Sequence, residues 1–231
     1  MTLCLVTDRQ RLCGGADVVP FEVARRCLLE QARLAVAAGI ELIQVRERDL
    51  DTRRLAALVT DIVRVARGTA TRIVVNDRLD VAMACGADGV HLRGDSMPAD
   101  EVRRIAPTGF LVGRSVHRPD EAMAVGPLDY LIAGTVFPTS SKPRERDGSP
   151  GPEGDRVLGL EGLRQIVQSA RAPVLAIGGM TIERAGAVRS AGASGLAAID
   201  LFIDRAADGP CRAMSLGPVV EALRQKFDSR P

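Results

Sequence analysis

The sequence predicts an α/β fold, a single-domain (β/α)8 TIM barrel, and three observations support this prediction. Short runs rich in Val, Ile and Leu alternate with longer amphipathic segments along the 231 residues, which is typical of a parallel sheet covered by helices on both faces. The apolar runs number eight, the strand count of this barrel. The third observation is an internal repeat, which favours a closed barrel over the competing open, doubly wound sheet.

The candidate strands are apolar runs bounded by turn residues. In order, they are Leu3–Thr7, Leu42–Val45, Arg72–Val75, Gly89–Leu92, Phe110–Gly113, Tyr130–Ala133, Val174–Ile177 and Gly195–Ile199. Between them lie segments whose apolar residues follow the helical period. The candidate helices are Phe21–Ala38, Thr52–Ala66, Ala99–Ile105, Leu160–Ala170 and Ile182–Ala191. Strands alternating with helices indicate parallel pairing through crossover connections.

The repeat is a short unit of small residues and a Gly, then a polar residue and a buried strand. It occurs as AAGIELIQV (37–45), CGADGVHL (85–92), VGPLDYLIAG (125–134) and AGASGLAAI (191–199). A unit at every second strand suits a closed barrel and has no natural place in an open sheet with a switch point. No Pro-rich or charged linker divides residues 1–231, so we expect one domain with an active-site loop at 138–159 and a short frayed tail beyond Phe227.

Composition excludes several classes of function. A net charge of +2 and an aromatic content of 3% argue against a nucleic-acid-binding surface. The longest stretch without a charged residue, Tyr130–Ser141, has 12 residues, too few for a membrane span of about 20. The N-terminus shows no signal-peptide pattern. Five scattered cysteines without C-x-x-C spacing favour reduced thiols in a cytoplasmic protein.

Residues that can hydrogen-bond, ionise or bind an anion lie at the end of nearly every predicted strand, where the active sites of such barrels are found. They are Asp8, Gln44, Arg46, Asn76, Asp77, His91, Asp95, Ser96, Ser115, His117, Thr139, Lys142, Gly178, Gly179 and Asp200. Contact with solvent explains polar strand ends in general. It does not readily explain Gln44, Arg46 and Asn76 beside buried segments, so we interpret this end of the barrel as a site.

Two anion sites are expected there. Gly178 and Gly179, with a helix predicted to start at Thr181, match the phosphate site of such barrels, although a tight turn alone also explains a Gly pair. Arg46, Arg48 and Lys142 are candidates for a second anion site, together with the hydroxyls of Thr139, Ser140 and Ser141.

Asp77, with Asp95 as a second carboxylate, is a candidate ligand for Mg²⁺, which proteins hold through one or two carboxylates beside phosphates. The alternative for Asp77 is capping of a helix near Leu79. His117 is placed for acid–base work, or else lies on the surface, whereas His91 falls within a strand and is expected in the core or beside a site residue.

Seven blocks across nearly the whole chain resemble one family, thiamine phosphate synthase and its relative the TenI-type thiazole tautomerase. They are LVTDR (5–9), IQVRERD (43–49), VNDRLDVAMACGADGVHL (75–92), GRSVHRPDEA (113–122), DYLIAGTVFPTSSKP (129–143), VLAIGGMT (174–181) and AGASGLAAI (191–199). The order and spacing of all seven blocks are far more specific than any one block.

The resemblance implies an enzyme that couples hydroxymethylpyrimidine diphosphate to thiazole phosphate with release of diphosphate. It places Gln44 and Ser115 at the pyrimidine, and Asn76 near both the pyrimidine and the diphosphate. Arg46 and Lys142 would neutralise the diphosphate, and Asp77 would bind Mg²⁺. Thr139, Ser141, Gly179 and the backbone around Ile199 would hold the thiazole phosphate. The partners implied are small molecules, and the oligomeric state is open, a homo-oligomer included.

Three positions depart from the synthase pattern. Arg48 stands where the family has Lys, Ser96 falls where the second metal carboxylate is expected, and Asp200 replaces a serine at the thiazole phosphate. The tautomerase isomerises a carboxythiazole phosphate, and the resemblance implies His117 as its base. Two features of this chain resemble the tautomerase, namely Ser96 and the GRSVH motif (113–117). The retained set of Gln44, Asn76 and Asp77 favours the synthase. A non-catalytic paralogue that binds thiamine intermediates is the third alternative.

Overall fold

The computed structural model describes residues 1–14, 19–124, 126–139 and 157–228, and its centre is a closed parallel barrel. The strands are β1 (Thr2–Val6), β2 (Leu42–Val45), β3 (Arg72–Asn76), β4 (Gly89–Leu92), β5 (Leu111–Val116), β6 (Tyr130–Gly134), β7 (Val174–Ile177) and β8 (Gly195–Ala198). Each strand pairs with the next, and β8 pairs with β1. The predicted barrel is therefore confirmed, and the open sheet is excluded.

Helices surround this barrel. They are α1 (Arg9–Leu12), α2 (Phe21–Ala37), α3 (Thr52–Ala66), α4 (Leu79–Ala84), α5 (Ala99–Ile105), α6 (Pro119–Ala124), α7 (Gly159–Ser169), α8 (Ala185–Ser190) and α9 (Gly217–Asp228), with a 3₁₀ turn at Asp200–Phe202. Helices α1, α6 and α9 were not predicted from the sequence. None of the helices in the described ranges has the length and apolar character needed to cross a membrane.

Two boundaries differ from the prediction in ways that affect the site. β5 continues to Val116, because Arg114, Ser115 and Val116 pair with β6, so Ser115 lies within the strand. The helix predicted from Ile182, with a start at Thr181, begins only at Ala185. Gly179 is therefore separated from the first turn of α8.

Side chains alternate between two cores, as the period of a strand requires. Leu3 and Leu5 of β1 pack in the larger cluster with the helices, whereas Cys4 and Val6 belong to a smaller cluster inside the barrel. The inner cluster also contains Leu42, Val74, Tyr130, Ile132, Leu175 and Ala197. The same alternation, continued toward the carboxyl ends of the strands, directs Gln44, Asn76, His91 and Ser115 inward.

Candidate active site

A cavity of about 560 Å³ opens at the carboxyl ends of the strands. It is lined by twelve of the residues expected at the site: Gln44, Arg46, Arg48, Asn76, Asp95, Ser115, His117, Thr139, Gly178, Gly179, Ile199 and Asp200. We call this cavity the barrel mouth. Ser140, Ser141 and Lys142, which were expected at its rim, lie outside the described residues.

A hydrogen-bonded pair of amides, buried Gln44 and half-buried Asn76, lies at the floor of the barrel mouth. Gln44 is 3% exposed, and its Nε2 donates to Oδ1 of Asn76 at 3.0 Å. The pair is set by register, because Gln44 and Asn76 are the inward residues near the ends of neighbouring β2 and β3. Because the two amides are hydrogen-bonded to each other and Gln44 is buried, each holds a fixed orientation and presents defined donors and acceptors to a ligand.

A second buried chain of hydrogen-bonding groups leads to Ser115. His91 is 1% exposed, with Nδ1 at 3.2 Å from the phenolic oxygen of Tyr130 and Nε2 at 2.9 Å from Oγ of Ser115. Gly113 makes this possible, because a Cβ at that position would lie 2.1 Å from the Tyr130 ring. Burial, together with the cations of Arg46 and Arg114, lowers the pKa of His91 to about 3. His91 is therefore neutral at physiological pH and positions the Ser115 hydroxyl.

Arg46 and Arg48 supply positive charge beside these groups. The backbone N–H of Arg46 donates to Oγ1 of buried Thr7 at 2.9 Å, which fixes the turn after β2. Burial, followed by the repulsion of Arg48, lowers the pKa of Arg46, although a guanidinium remains protonated at neutral pH. A partly buried Arg46 that is repelled by the exposed Arg48 is an arrangement that an anionic ligand would stabilise.

The two expected metal carboxylates share one arginine. Arg93 Nε lies 3.1 Å from Oδ2 of Asp77, and its Nη2 lies 3.2 Å from Oδ2 of Asp95. The Ser96 hydroxyl also donates to Asp77. Asp77 lines a smaller cavity of about 160 Å³ that shares Arg48, Asn76 and Arg93 with the barrel mouth.

The backbone at Asp77 is unusual. Its φ of 63° is the one positive value of a non-glycine residue in the described part of the chain, a conformation that is uncommon for residues with a side chain. Helix α4 is capped at Arg78 without a side-chain hydrogen bond, so helix capping does not account for Asp77. Backbone strain of this kind clusters at functional sites.

Gly178 and Gly179 line the opposite side of the barrel mouth, and local packing explains why both are glycine. Their φ angles are 100° and 60°, and a Cβ would lie 2.5 Å from the Thr135 side chain or 2.6 Å from the Pro138 carbonyl oxygen. Helix α8 begins only at Ala185. The prediction that a helix starting at Thr181 would help to bind an anion at these glycines is therefore wrong. The glycine backbone itself is the feature available to an anion.

Asp200 follows β8 on the same side and is held by two arginines. Nη1 of Arg11 donates to both carboxylate oxygens, at 2.9 and 3.0 Å, and Nη2 of Arg205 lies 2.6 Å from Oδ2. The repulsion expected between Asp200 and a phosphate is therefore largely offset by neighbouring cations.

His117 follows β5 and lines the barrel mouth. Its Nδ1 bonds to the carbonyl oxygen of Gly134, and its backbone N–H donates to Oε2 of Glu121 at 2.6 Å. A carbonyl only accepts, so Nδ1 carries the proton, and in the neutral ring Nε2 is left as an acceptor.

Arg11 and Arg93 are the site residues that the sequence analysis missed. Both line the barrel mouth, in α1 and in the loop after β4. The chain has 29 arginines, so arginine at a given position carries little signal. Their position was the feature of the sequence that could have identified them as site residues, because both follow the ends of predicted strands.

Three comparisons point to the same family. A family model described as thiamine monophosphate synthase matches residues 5–202. A thiamine-phosphate synthase of Albidiferax ferrireducens is 35% identical over 226 residues, covering 96% of this chain and 93% of the relative. One from Methanoregula boonei is 40% identical over 176 residues, covering 75% of this chain and 77% of the relative.

A solved structure agrees with them. The thiamine phosphate pyrophosphorylase from Pyrococcus furiosus superimposes with a TM-score of 0.73 at 32% identity, covering 98% of this chain and 95% of that one.

Proposed function

The chain belongs to the thiamine monophosphate synthase family, a family of transferases, and we propose that its barrel mouth couples hydroxymethylpyrimidine diphosphate to thiazole phosphate. The observation that carries this proposal is the hydrogen-bonded amide pair of Gln44 and Asn76 beside Arg46. An oriented pair of amides matches the ring nitrogens and amino group of a pyrimidine, and the adjacent cation matches the diphosphate attached to it.

The pyrimidine end is formed by Gln44, Asn76 and Ser115. The Ser115 hydroxyl is held by His91 at 2.9 Å, so three polar groups converge from β2, β3 and β5. Rigid placement of the ring matters because the two substrates must meet with the thiazole nitrogen facing the pyrimidine methylene carbon.

The reaction breaks the bond between that methylene carbon and the diphosphate oxygen. The electron pair leaves with diphosphate, and the positive charge that develops on the pyrimidine methylene is trapped by the lone pair of the thiazole nitrogen. Arg46, Arg48 and Lys142 stabilise the charge of the departing diphosphate. Fixed cations in a partly desolvated site are effective because they need little reorganisation.

We also propose that Asp77 and Asp95 hold Mg²⁺. The donor set fits, because Mg²⁺ takes hard oxygen ligands and is held through one or two carboxylates and substrate phosphates. In the described residues no three acidic, histidine or cysteine side chains form a complete metal site, so the diphosphate would supply further ligands. Mg²⁺ would neutralise charge on the diphosphate. Arg93 contacts both carboxylates, so the ion would have to displace it from them.

The thiazole phosphate is assigned to the side of the barrel mouth formed after β6, β7 and β8. Thr139, Ser141, Gly178, Gly179 and the backbone of Ile199 are its proposed contacts. Gly179 allows an anion to approach the main chain closely because it has no side chain.

An endpoint assay for thiamine phosphate tests the proposal. Purified protein is mixed with the pyrimidine diphosphate, thiazole phosphate and Mg²⁺, with a chelator-treated sample as control. We expect magnesium-dependent product. Folded protein that yields none would contradict the synthase proposal.

One observation supports a second candidate, the thiazole tautomerase. The Gly134 carbonyl fixes the proton of His117 on Nδ1, which prepares Nε2 as a base. If the endpoint assay fails, isomerisation of carboxythiazole phosphate is the activity to measure, and His117→Asn should abolish it.

We also propose that the protein is cytoplasmic and that it forms a homo-oligomer. All five cysteines are free, which supports a reducing compartment such as the cytoplasm, and cell fractionation tests this. A homo-oligomer is tested by light scattering of the purified chain.

A further inference from the structure

Arg114 lies on β5 next to Ser115, at the edge of the barrel mouth. Successive residues of a strand face opposite sides of the sheet, and Ser115 lines the barrel mouth, so Arg114 faces outward. It pairs with Leu92, the last residue of β4. Its side chain therefore lies beside the loop that connects β4 to α5, residues 93–98, which we call the β4 loop.

The guanidinium of Arg114 holds the β4 loop by its main chain. Nη2 donates to the carbonyl oxygens of Met97 at 2.6 Å and Ser96 at 3.4 Å. Nη1 donates to the carbonyl oxygen of Gly94 at 3.3 Å. One planar cation thus connects three carbonyls of a short loop, an arrangement that the single ammonium group of a lysine does not reproduce.

The β4 loop determines which groups surround Asp77. Asp95 is the second carboxylate proposed for Mg²⁺, and the Ser96 hydroxyl donates to Asp77. The backbone N–H of Arg93 donates to the same hydroxyl oxygen at 2.8 Å, which fixes its orientation. A shift of the loop main chain would therefore move both Asp95 and Ser96 relative to Asp77.

Arg114 has two opposing effects on a cation held by these carboxylates. Burial lowers the pKa of Arg114, and the nearby charges of Asp77 and Asp95 oppose this change, so the guanidinium is close enough to repel a cation bound there. Its hydrogen bonds to the loop act in the other direction, because they keep the two carboxylates in place. The two effects can be separated by substitutions that change the charge and the hydrogen bonds independently.

We propose that Arg114 is a positioning residue for the divalent cation: it holds the β4 loop so that Asp95 and Ser96 stay beside Asp77. The inference rests on the proposed function, since Mg²⁺ at these carboxylates is part of that proposal. Arg114 acts through the loop main chain and contacts neither the ion nor the substrates. Without it, the loop would sample more conformations, and a cation would have to order the loop on binding.

Binding of Mn²⁺, measured by electron paramagnetic resonance of the free ion, tests this without turnover. Arg114→Lys keeps the charge and loses the fork, and we expect Mn²⁺ affinity to fall about tenfold, the lower end of the loss caused by removing a partner of a metal ligand. Arg114→Met also removes the charge, which offsets part of the loss. Its Mn²⁺ affinity should lie between those of Arg114→Lys and wild type.

Arg103→Lys is the matched control, because Arg103 holds main-chain carbonyls at the other end of β5. Its Nε donates to the carbonyl oxygen of Pro127 at 3.1 Å, and its Nη1 donates to that of Phe110 at 2.6 Å. Phe110 directly precedes β5, at the end of the strand opposite the barrel mouth. Arg103→Lys should therefore lose comparable hydrogen bonds and keep the wild-type affinity for Mn²⁺.

Three results would overturn the proposal. They are wild-type Mn²⁺ affinity in Arg114→Lys, equal losses in Arg114→Lys and Arg103→Lys, and tighter binding in Arg114→Met than in wild type, which is the effect of charge repulsion alone. If Arg114→Lys fails to fold by circular dichroism, Arg114→Met decides. An affinity equal to or above that of wild type then overturns the proposal, and a lower one supports it.

The endpoint assay separates this inference from the proposed function. Wild-type protein that forms thiamine phosphate, with unchanged Mn²⁺ affinity in Arg114→Lys, contradicts only the inference. Arg114-dependent Mn²⁺ binding without formation of thiamine phosphate contradicts only the coupling reaction. A wild-type protein that does not bind Mn²⁺ would overturn both the inference and the proposed metal site.

Discussion

The imidazole Nε2 of His91 lies 2.9 Å from the hydroxyl oxygen of Ser115, so a fully buried side chain fixes a group at the floor of the barrel mouth. Tyr130 holds the other ring nitrogen at 3.2 Å, and burial raises the pKa of this phenol well above its usual value. Both partners of the chain are therefore neutral at physiological pH, and the chain orients Ser115 without placing a charge there.

The neutral His91 makes stability depend on pH. Its pKa is lowered to about 3 in the folded protein, whereas an unfolded histidine titrates near about 6.5. Between these values the unfolded state binds more protons, so the free energy of unfolding falls as pH is lowered. Well below pH 6.5, this contribution is about 1.4 kcal/mol per pH unit.

Urea unfolding of wild type and His91→Gln at pH 7.5, 5.5 and 4.5 checks this. The variant should lose less stability on acidification, while titrating carboxylates contribute alike to both proteins. Parallel pH profiles would show that His91 is not kept neutral by burial.

Replacing Gln44 should weaken the binding of the pyrimidine diphosphate and leave that of thiazole phosphate unchanged. Gln44→Leu removes the amide donor to Asn76 at 3.0 Å and replaces a buried polar group of the site with an apolar one. We expect KM for the pyrimidine diphosphate to rise about tenfold or more, since an unsatisfied buried group costs about 1–3 kcal/mol. Steady-state kinetics with each substrate varied in turn measures this, and KM for thiazole phosphate is the internal control. An equal rise in both constants would remove Gln44 from the pyrimidine site.

Most of the barrel could be predicted because its strands are local signals. Leu42–Val45, Gly89–Leu92 and Val174–Ile177 match the observed strands, since each is an apolar run bounded by turn residues. The four-residue α1 was missed because one turn is too short to show helical periodicity. Helix α8 begins at Ala185 after a turn at 182–184, and the apolar period of the sequence does not distinguish such a turn from the first residues of a helix.

The site was predictable as far as strand ends determine it. Gln44, Asn76 and Ser115 converge because inward residues of parallel strands end on one side of the barrel. The contact of Arg11 with Asp200 spans 189 positions and depends on closure of β8 onto β1. From the sequence, Asp200 is therefore an isolated charge, whereas in the structure it is paired with Arg11 and Arg205.

Arg93 should compete with a metal ion. It contacts both Asp77 and Asp95, so Arg93→Ala should raise Mn²⁺ affinity about two- to fivefold, the scale of a partly exposed ion pair. Electron paramagnetic resonance of free Mn²⁺ measures binding without relying on turnover. Arg78→Ala is the matched control, because Arg78 pairs with Asp80. Weaker binding in Arg93→Ala would contradict the competition.

The role of Lys142 can be tested by replacing it, with the second lysine of the chain as a matched control. The chain has only two lysines, Lys142 and Lys226, and Lys226 lies in α9, away from the residues that line the barrel mouth. Lys142→Ala should lower kcat by about 10²-fold or more, since removing one group proposed to stabilise the charge of the departing diphosphate has an effect on that scale, while the melting temperature stays near that of wild type. Lys226→Ala should keep the wild-type kcat. A wild-type kcat in Lys142→Ala would leave the diphosphate to Arg46 and Arg48 alone.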